Sequence, residues 1–253
     1  MQGPGTDPLR EVAALIDGAT AQGIPIRLVG GQAVRFLTPA FPPREREGQD
    51  LDLASVATVR GELSRYLVER GYVADRQFNN LYGQKQLYFT SPDGARALDV
   101  MVDQLTMCHV LVFKERIARM PYTLDVTDLL LTKLQIVEMN EKDVQDIVYL
   151  LAAFPVREGD EPGTIALDRF GRVLGDDWGW WRTVTRNLED VASHAGGDLA
   201  GLIPPDPPFD PVAQAHALRK HADAVPKSLK WRLRSKVGER VRWYELPEEV
   251  AHP

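Results

Sequence analysis

The chain is poor in cysteine and has no long apolar run. Cys108 is its single cysteine among 253 residues, so no disulfide can form within it. The first residues, Met1-Gln2-Gly3-Pro4, lack the basic and apolar pattern of a secretory signal, and with the lone thiol they make a reducing cytoplasm the expected compartment. No stretch approaches the ~20 apolar residues that a bilayer requires, so no membrane partner is expected. The five histidines are dispersed, with no His/Cys pair at zinc spacing and no nucleophile triad. There is no internal repeat. Net positive charge is also missing: a net charge of −6 argues against duplex binding over the whole surface and leaves room for local basic patches. Apolar residues make up 44% of the chain, enough for one large or two small domains with real cores.

The densest information lies between Ile24 and Leu53. Ile24 to Val29 reads as a short buried strand, Gln32 to Leu37 has helical spacing, and Gly30-Gly31 falls at the turn between them. Outward-facing backbone N–H groups at such a turn can bind phosphate oxygens, because free amides and the helix dipole both favour an anion. Gly-Gly is also an ordinary tight turn, so the turn alone does not decide for phosphate. Asp50-Leu51-Asp52 follows on a second apolar run. Residues two apart on a strand share a face, which places Asp50 and Asp52 roughly 6 to 7 Å apart along one edge, with Leu51 and Leu53 toward a core. Two carboxylates so placed can share Mg2+ or Mn2+, hard cations that take carboxylates together with substrate phosphates.

Gln84 to Thr90 and Ala95 to Val102 flank the turn sequence Ser91-Pro92-Asp93-Gly94, which predicts a hairpin. Leu98, Val100 and Val102 take one face of its second strand and Asp99, Met101 and Asp103 the other. Asp99 is the candidate third carboxylate, with Asp103 as its substitute. Further on, Thr127 to Met139 projects as a helix with Lys133 inside a broad apolar arc and Thr132, Gln135 and Glu138 on the polar side. A lysine there needs an anionic partner. The next helix, Glu141 to Ala153, supplies Asp143 and Asp146 one turn apart on its inner edge. Geometry leaves two roles open for Lys133: pairing with Asp143, or catalysis.

Gly30-Gly31, Asp50-Leu51-Asp52, Leu131-Thr132-Lys133-Leu134 and Asp143-Val144-Gln145-Asp146, in that order over residues 24 to 154, resemble the AbiEii/AbiGii-type nucleotidyltransferases of the DNA polymerase beta superfamily. The resemblance implies an α/β (α+β) nucleotidyltransferase-fold mixed sheet with flanking helices. It implies that Gly30, Gly31 and Lys133 contact nucleotide phosphates and that Asp50 and Asp52 bind Mg2+, with Asp99 joining by strand position. Asp143 and Asp146 complete the site. The chain departs from the family pattern in carrying Gly31 where a serine is usual, and Gly48-Gln49 where a threonine precedes the aspartate pair. The expected activity is transfer of a nucleoside monophosphate from an NTP to an RNA, protein or small-molecule acceptor, with a toxin role and an antitoxin-like protein partner as corollaries. A noncatalytic nucleotide- or RNA-binding protein that kept the fold is the alternative.

The expected organisation is a core over 1–120, a helical domain over 121–203 and a helical basic appendage over 211–253, set off by Pro204-Pro205-Asp206-Pro207-Pro208. Asp176 to His194 begins with Trp178, Trp180 and Trp181, which are expected to pack it on preceding helices. Lys227 to Trp243 holds seven basic residues and one acid, interleaved with Trp231 and Trp243. Lys230, Arg234 and Arg240 are its candidate nucleic-acid contacts. Leu229, Leu233, Val237 and Val241 recur every four residues, so the same segment also reads as an amphipathic helix with a solvated basic side.

Overall fold

The computed structural model describes residues 8–42, 50–195, 197, 200–203 and 206–246. Gly48, Gln49, Pro204 and Pro205 lie outside them. The chain divides into two compact units. The first takes the described residues of 1–37, 45–105 and 112–125; the second takes those of 38–44, 106–111 and 126–253.

The first unit is built on a five-stranded mixed sheet. Its elements are α1 (Pro8–Thr20), β1 (Arg27–Leu28), α2 (Gly30–Leu37), β2 (Leu51–Ser55), α3 (Arg60–Glu69), β3 (Val73–Ala74), α4 (Arg76–Tyr82), β4 (Gln86–Thr90) and β5 (Ala97–Val102). The spatial order is β1-β2-β5-β4-β3, with β2 and β5 parallel and every other neighbouring pair antiparallel. The predicted hairpin is β4–β5. Its turn closes through Gly94 N–H to the Ser91 carbonyl at 2.8 Å, with Gly94 at a φ of 71° that a side chain would resist. Leu98, Val100 and Val102 are buried as their alternation requires, and Leu51 and Leu53 share that apolar layer.

Two expectations are corrected here. The strand over 24–29 shrinks to Arg27–Leu28, an edge element anchored at Leu28, whose N–H bonds the Tyr122 carbonyl at 2.8 Å. Arg27 is buried in it and donates to the carbonyls of Met120 and Ile26; that burial depresses its pKa. Asp103 does not continue the Asp99 face, because β5 ends at Val102 and Asp103 adopts a φ of 63°, outside the strand region. Its carboxylate instead accepts the Ala57 N–H at 3.0 Å.

The second unit is helical: α5 (Val126–Leu134), α6 (Glu141–Ala153), α7 (Leu167–Asp176), α8 (Trp178–Ala195), α9 (Pro211–Ala224) and α10 (Leu229–Val237), with a short parallel strand pair, Val156–Arg157 beside Ile165–Ala166. α5 ends five residues before the expected Met139. The Asn187 amide donates to the carbonyls of Leu134, the last residue of α5, and of Ile136 just beyond it, at 2.9 and 2.7 Å, which satisfies acceptors that a longer helix would have used. Thr132 and Gln135, assigned to a polar side, are buried; the Gln135 carbonyl oxygen accepts the His109 N–H at 3.0 Å. Residues 211–224, expected as part of an appendage, form α9 within the second unit. Phe209 N–H bonds the Ala152 carbonyl, and the Gln214 side chain bonds the carbonyls of Leu151 and Phe154, which ties α9 to the end of α6 within one unit. Among the described residues no helix is long and apolar enough to cross a membrane.

Candidate active site

Sheet register assembles the first unit's candidate residues. In the β2–β5 ladder Asp52 pairs with Asp99, so the two carboxylates stand on neighbouring strands, on one face, with Cα atoms roughly 5 Å apart. β4 adds Tyr88 directly opposite Asp99, and Gln86 two residues before it on the same face. The Gln86 amide donates to Asp99 Oδ1 at 2.6 Å and orients that carboxylate. Tyr88 reports the charge around it. Its hydroxyl pKa is raised by burial and by the negative fields of Asp99, Asp50 and Asp75; Asp50 stands one residue before β2, two from Asp52. α4 fixes Tyr88 through Asn79, whose side-chain oxygen accepts the Tyr88 N–H at 2.7 Å and whose amide donates to the Tyr88 carbonyl at 3.1 Å.

The glycine turn meets this group from β1. Val29 N–H bonds the Asp52 carbonyl at 2.9 Å, and α2 opens at Gly30 with a φ of 65°. A Cβ there would sit 2.4 Å from Asp52 Oδ2. Only glycine lets the helix start this close to the carboxylate. Gly31 is the second residue of α2, so both glycines belong to the helix start rather than to a loop ahead of it.

The donor set suits a hard divalent cation. Asp52 and Asp99 share a face and Asp50 adjoins them, while Mg2+ characteristically takes one or two carboxylates and fills its octahedron with phosphates and water. Among the described residues no group of three or more His, Cys, Asp or Glu side chains that could hold a metal ion is found.

The remaining acidic and basic candidates belong to the second unit. Lys133 Nζ lies 2.9 Å from Asp143 Oδ1 and 2.9 Å from Asp146 Oδ2, and all three side chains are largely withdrawn from solvent. Burial opposes the ammonium charge, but Asp146 and Asp143 outweigh it and hold the pKa above that of an ordinary lysine. Asp143 has a second duty: with Asn140 it forms a reciprocal capping box at the start of α6. Geometry therefore realises the pairing role for Lys133 and adds Asp146 to it.

At the basic segment the orientation is the reverse of that expected of an amphipathic helix. Leu229, Leu233, Val237 and Val241 are 66, 55, 41 and 59% exposed. Trp231 and Arg234 turn toward α8: Trp231 meets Trp181 edge to face at 5.4 Å and the Arg234 guanidinium lies 4.8 Å from the Trp178 ring centre, while Lys230, 3.1 Å from Asp177, and the other basic residues of α10 stay exposed. Arg234 is half-buried, whereas Lys230, although paired with Asp177, and Arg240 are exposed. The tryptophans of α8 pack on later parts of the chain, Trp231 of α10 and Trp243, as well as on His109.

Gln86 and Tyr88 are members of the group that no sequence motif singled out. The period-two pattern of Gln84, Gln86 and Tyr88, once aligned against Asp99 across the hairpin, is the signal that could have found them. Buried Asp125, bonded by Arg116 and Arg119 at 2.8 Å each, and buried Asp128, bonded by Arg169 at 2.8 Å, had no such signal.

No family model matches the chain, and no curated protein matches it. Among solved structures, a lincosamide antibiotic adenylyltransferase, LnuA, with bound lincomycin is 18% identical, with a TM-score of 0.42 over 56% of this chain and 94% of its own. The enzyme ANT(2")-Ia in complex with adenylyl-2"-tobramycin is 13% identical, with a TM-score of 0.40 over 57% of this chain and 88% of its own. An antigenic nucleotidyltransferase-like protein from Paracoccidioides brasiliensis is 14% identical, with a TM-score of 0.42 over 87% and 94%. These likenesses are loose.

Proposed function

We propose that this chain is a nucleotidyltransferase that transfers a nucleoside monophosphate from an NTP to an acceptor hydroxyl and releases pyrophosphate, with Mg2+ or Mn2+ as its cofactor. The observation that carries the reading is the Asp52–Asp99 register on parallel neighbours, with Gly30 held at positive φ against the Asp52 carboxylate. In the proposed reaction the acceptor oxygen forms a bond to the α-phosphorus as the bond to the pyrophosphate oxygen breaks, and the acceptor's proton passes to a carboxylate, Asp99 being the candidate. Asp50, Asp52 and Asp99 hold the cation, which when bound neutralises phosphate charge. Gln86 keeps Asp99 aimed, and the Gly30-Gly31 helix start offers N–H groups to phosphate oxygens. The AbiEii-type placement is part of the same proposal and rests on the order of the four motifs.

Calorimetry tests the metal and nucleotide together. Wild-type protein should bind a triphosphate only with Mg2+ or Mn2+ present, and Asp50→Asn with Asp52→Asn should lose that dependence while melting as wild type. Tight binding in chelator, or equal affinity in the double mutant, would sink the assignment. A screen of the four labelled triphosphates against RNA, protein and small-molecule acceptors then identifies the product. The toxin corollary requires that induced expression of wild type arrests growth and that of the double mutant does not.

A further inference from the structure

The second unit holds a cavity of about 450 Å³ between the start of α8, α10 and residues 242–245. That volume is in the range of small-molecule sites and far above a single trapped water. Its walls are aromatic: Trp178 and Trp243 meet edge to face at 5.9 Å, with Tyr244 and His109 beside them. Gly179 lets the closing segment approach, since a Cβ there would lie 2.7 Å from the Trp243 carbonyl oxygen. His109 adds a ring without charge. Burial lowers its pKa to about 4, Asp177 opposing, and its Nε2 lies 2.9 Å from the Thr183 hydroxyl, which also accepts the Trp243 indole N–H at 3.1 Å.

Three cations line the same cavity: Lys230, Arg234 and Arg242. Lys230 is balanced by Asp177, which also receives the N–H groups of Gly179 and Trp180 at the start of α8. Arg234 is fixed by the carbonyls of Gly238 and Val241, both at 2.7 Å, and lies 4.8 Å from the Trp178 ring centre. Arg242 lies 4.8 Å from the Tyr244 ring centre and makes no hydrogen bond or ion pair among the described residues. Among the described residues of the lining, Glu245 is the one carboxylate left to answer two guanidiniums, and it is exposed. A chain of net charge −6 has here gathered positive charge around aromatic walls.

We propose that this cavity binds a planar aromatic anion, its ring stacked among Trp178, Trp243 and Tyr244 and its anionic group met by Arg242 and Arg234. An apolar ring alone would not use the guanidiniums, and an inorganic anion alone would not use the aromatic walls. An aromatic carboxylate and the base and phosphate of a nucleoside monophosphate share this chemistry. The site lies wholly within the second unit and is independent of the nucleotidyl-transfer reading.

Calorimetry with three probes and no metal decides it: 2-naphthoate, its neutral analogue 2-naphthamide, and acetate. Naphthoate should bind saturably, with the other two at least about tenfold weaker, since each lacks one half of the match. Arg242→Glu, at an exposed position free of hydrogen bonds, should melt as wild type and weaken naphthoate at least about tenfold, while Arg242→Lys keeps most of the affinity. Adenosine monophosphate, titrated into the Asp50→Asn, Asp52→Asn protein, distinguishes the source. Binding that Arg242→Glu abolishes points to a nucleotide, and naphthoate binding without it points to an aromatic acid. Naphthoate that fails to saturate, that binds Arg242→Glu unchanged, or that binds no better than naphthamide overturns the proposal.

Discussion

At the scale of single residues the site depends on what is absent at position 30. Gly30→Ala places a methyl carbon 2.4 Å from the Asp52 carboxylate in a conformation that L-residues resist, so either α2 or Asp52 must move. The expected result is a stability loss of about 1–3 kcal/mol in denaturant titrations and loss of metal-dependent triphosphate binding. Gln86→Leu tests the other side of the group. It removes the donor to Asp99 at a part-buried contact, and should lower triphosphate affinity with a stability change of at most about 1.5 kcal/mol. Unchanged affinity in Gln86→Leu would mean that Asp99 needs no orientation.

Among elements, α5 and α6 are joined by charge as well as by their apolar faces. Lys133→Met keeps the stem's volume but leaves Asp143 and Asp146 close together without their cation, and should cost about 3–5 kcal/mol of unfolding free energy. A melt within a degree or two of wild type would show that the triad does not hold these helices. α10 gives the opposite expectation. Replacing Leu229 and Leu233 by Gln should change stability by less than about 0.5 kcal/mol each, because both are exposed, whereas Trp231→Ala strips the contact with Trp181 and should cost about 1–3 kcal/mol. Equal losses in the two variants would place the leucines inward.

For the whole molecule, His109 links stability to pH. Its folded pKa of about 4 lies below the usual histidine value of 6.5, so the folded state binds fewer protons than the unfolded chain between those values. Stability should therefore be full above about pH 6.5 and fall as pH drops toward 4, by at most about 3 kcal/mol from this group. His109→Gln should flatten that slope in denaturant titrations from pH 7 to 4.5; an unaltered slope would assign the acid sensitivity to other groups. The two units also allow a check on organisation. Because α9 is bonded to the end of α6, removing residues 211–253 should unfold the second unit rather than trim an independent part.

Local pattern was enough to determine the β4–β5 hairpin and the limits of α6, because turn chemistry, capping and alternation act between near neighbours, whereas the meeting of Asp52 with Asp99 needed the β2–β5 pairing. The pairing of Lys133 was legible as a need, since a lysine inside an apolar arc must find an anion. Asp143 was legible as its anion, and the structure adds Asp146 beside it. Tertiary structure alone supplied Asn187 as the donor to the carbonyls at and just beyond the end of α5, and decided which way α10 faces. A repeat of Leu229, Leu233, Val237 and Val241 defines a stripe but cannot choose its partner. Trp178 and Trp181 of α8 offered Trp231 and Arg234 stacking, so these two turned inward and the leucines stayed exposed. The same packing left a cavity at the start of α8 that no spacing in the sequence announces.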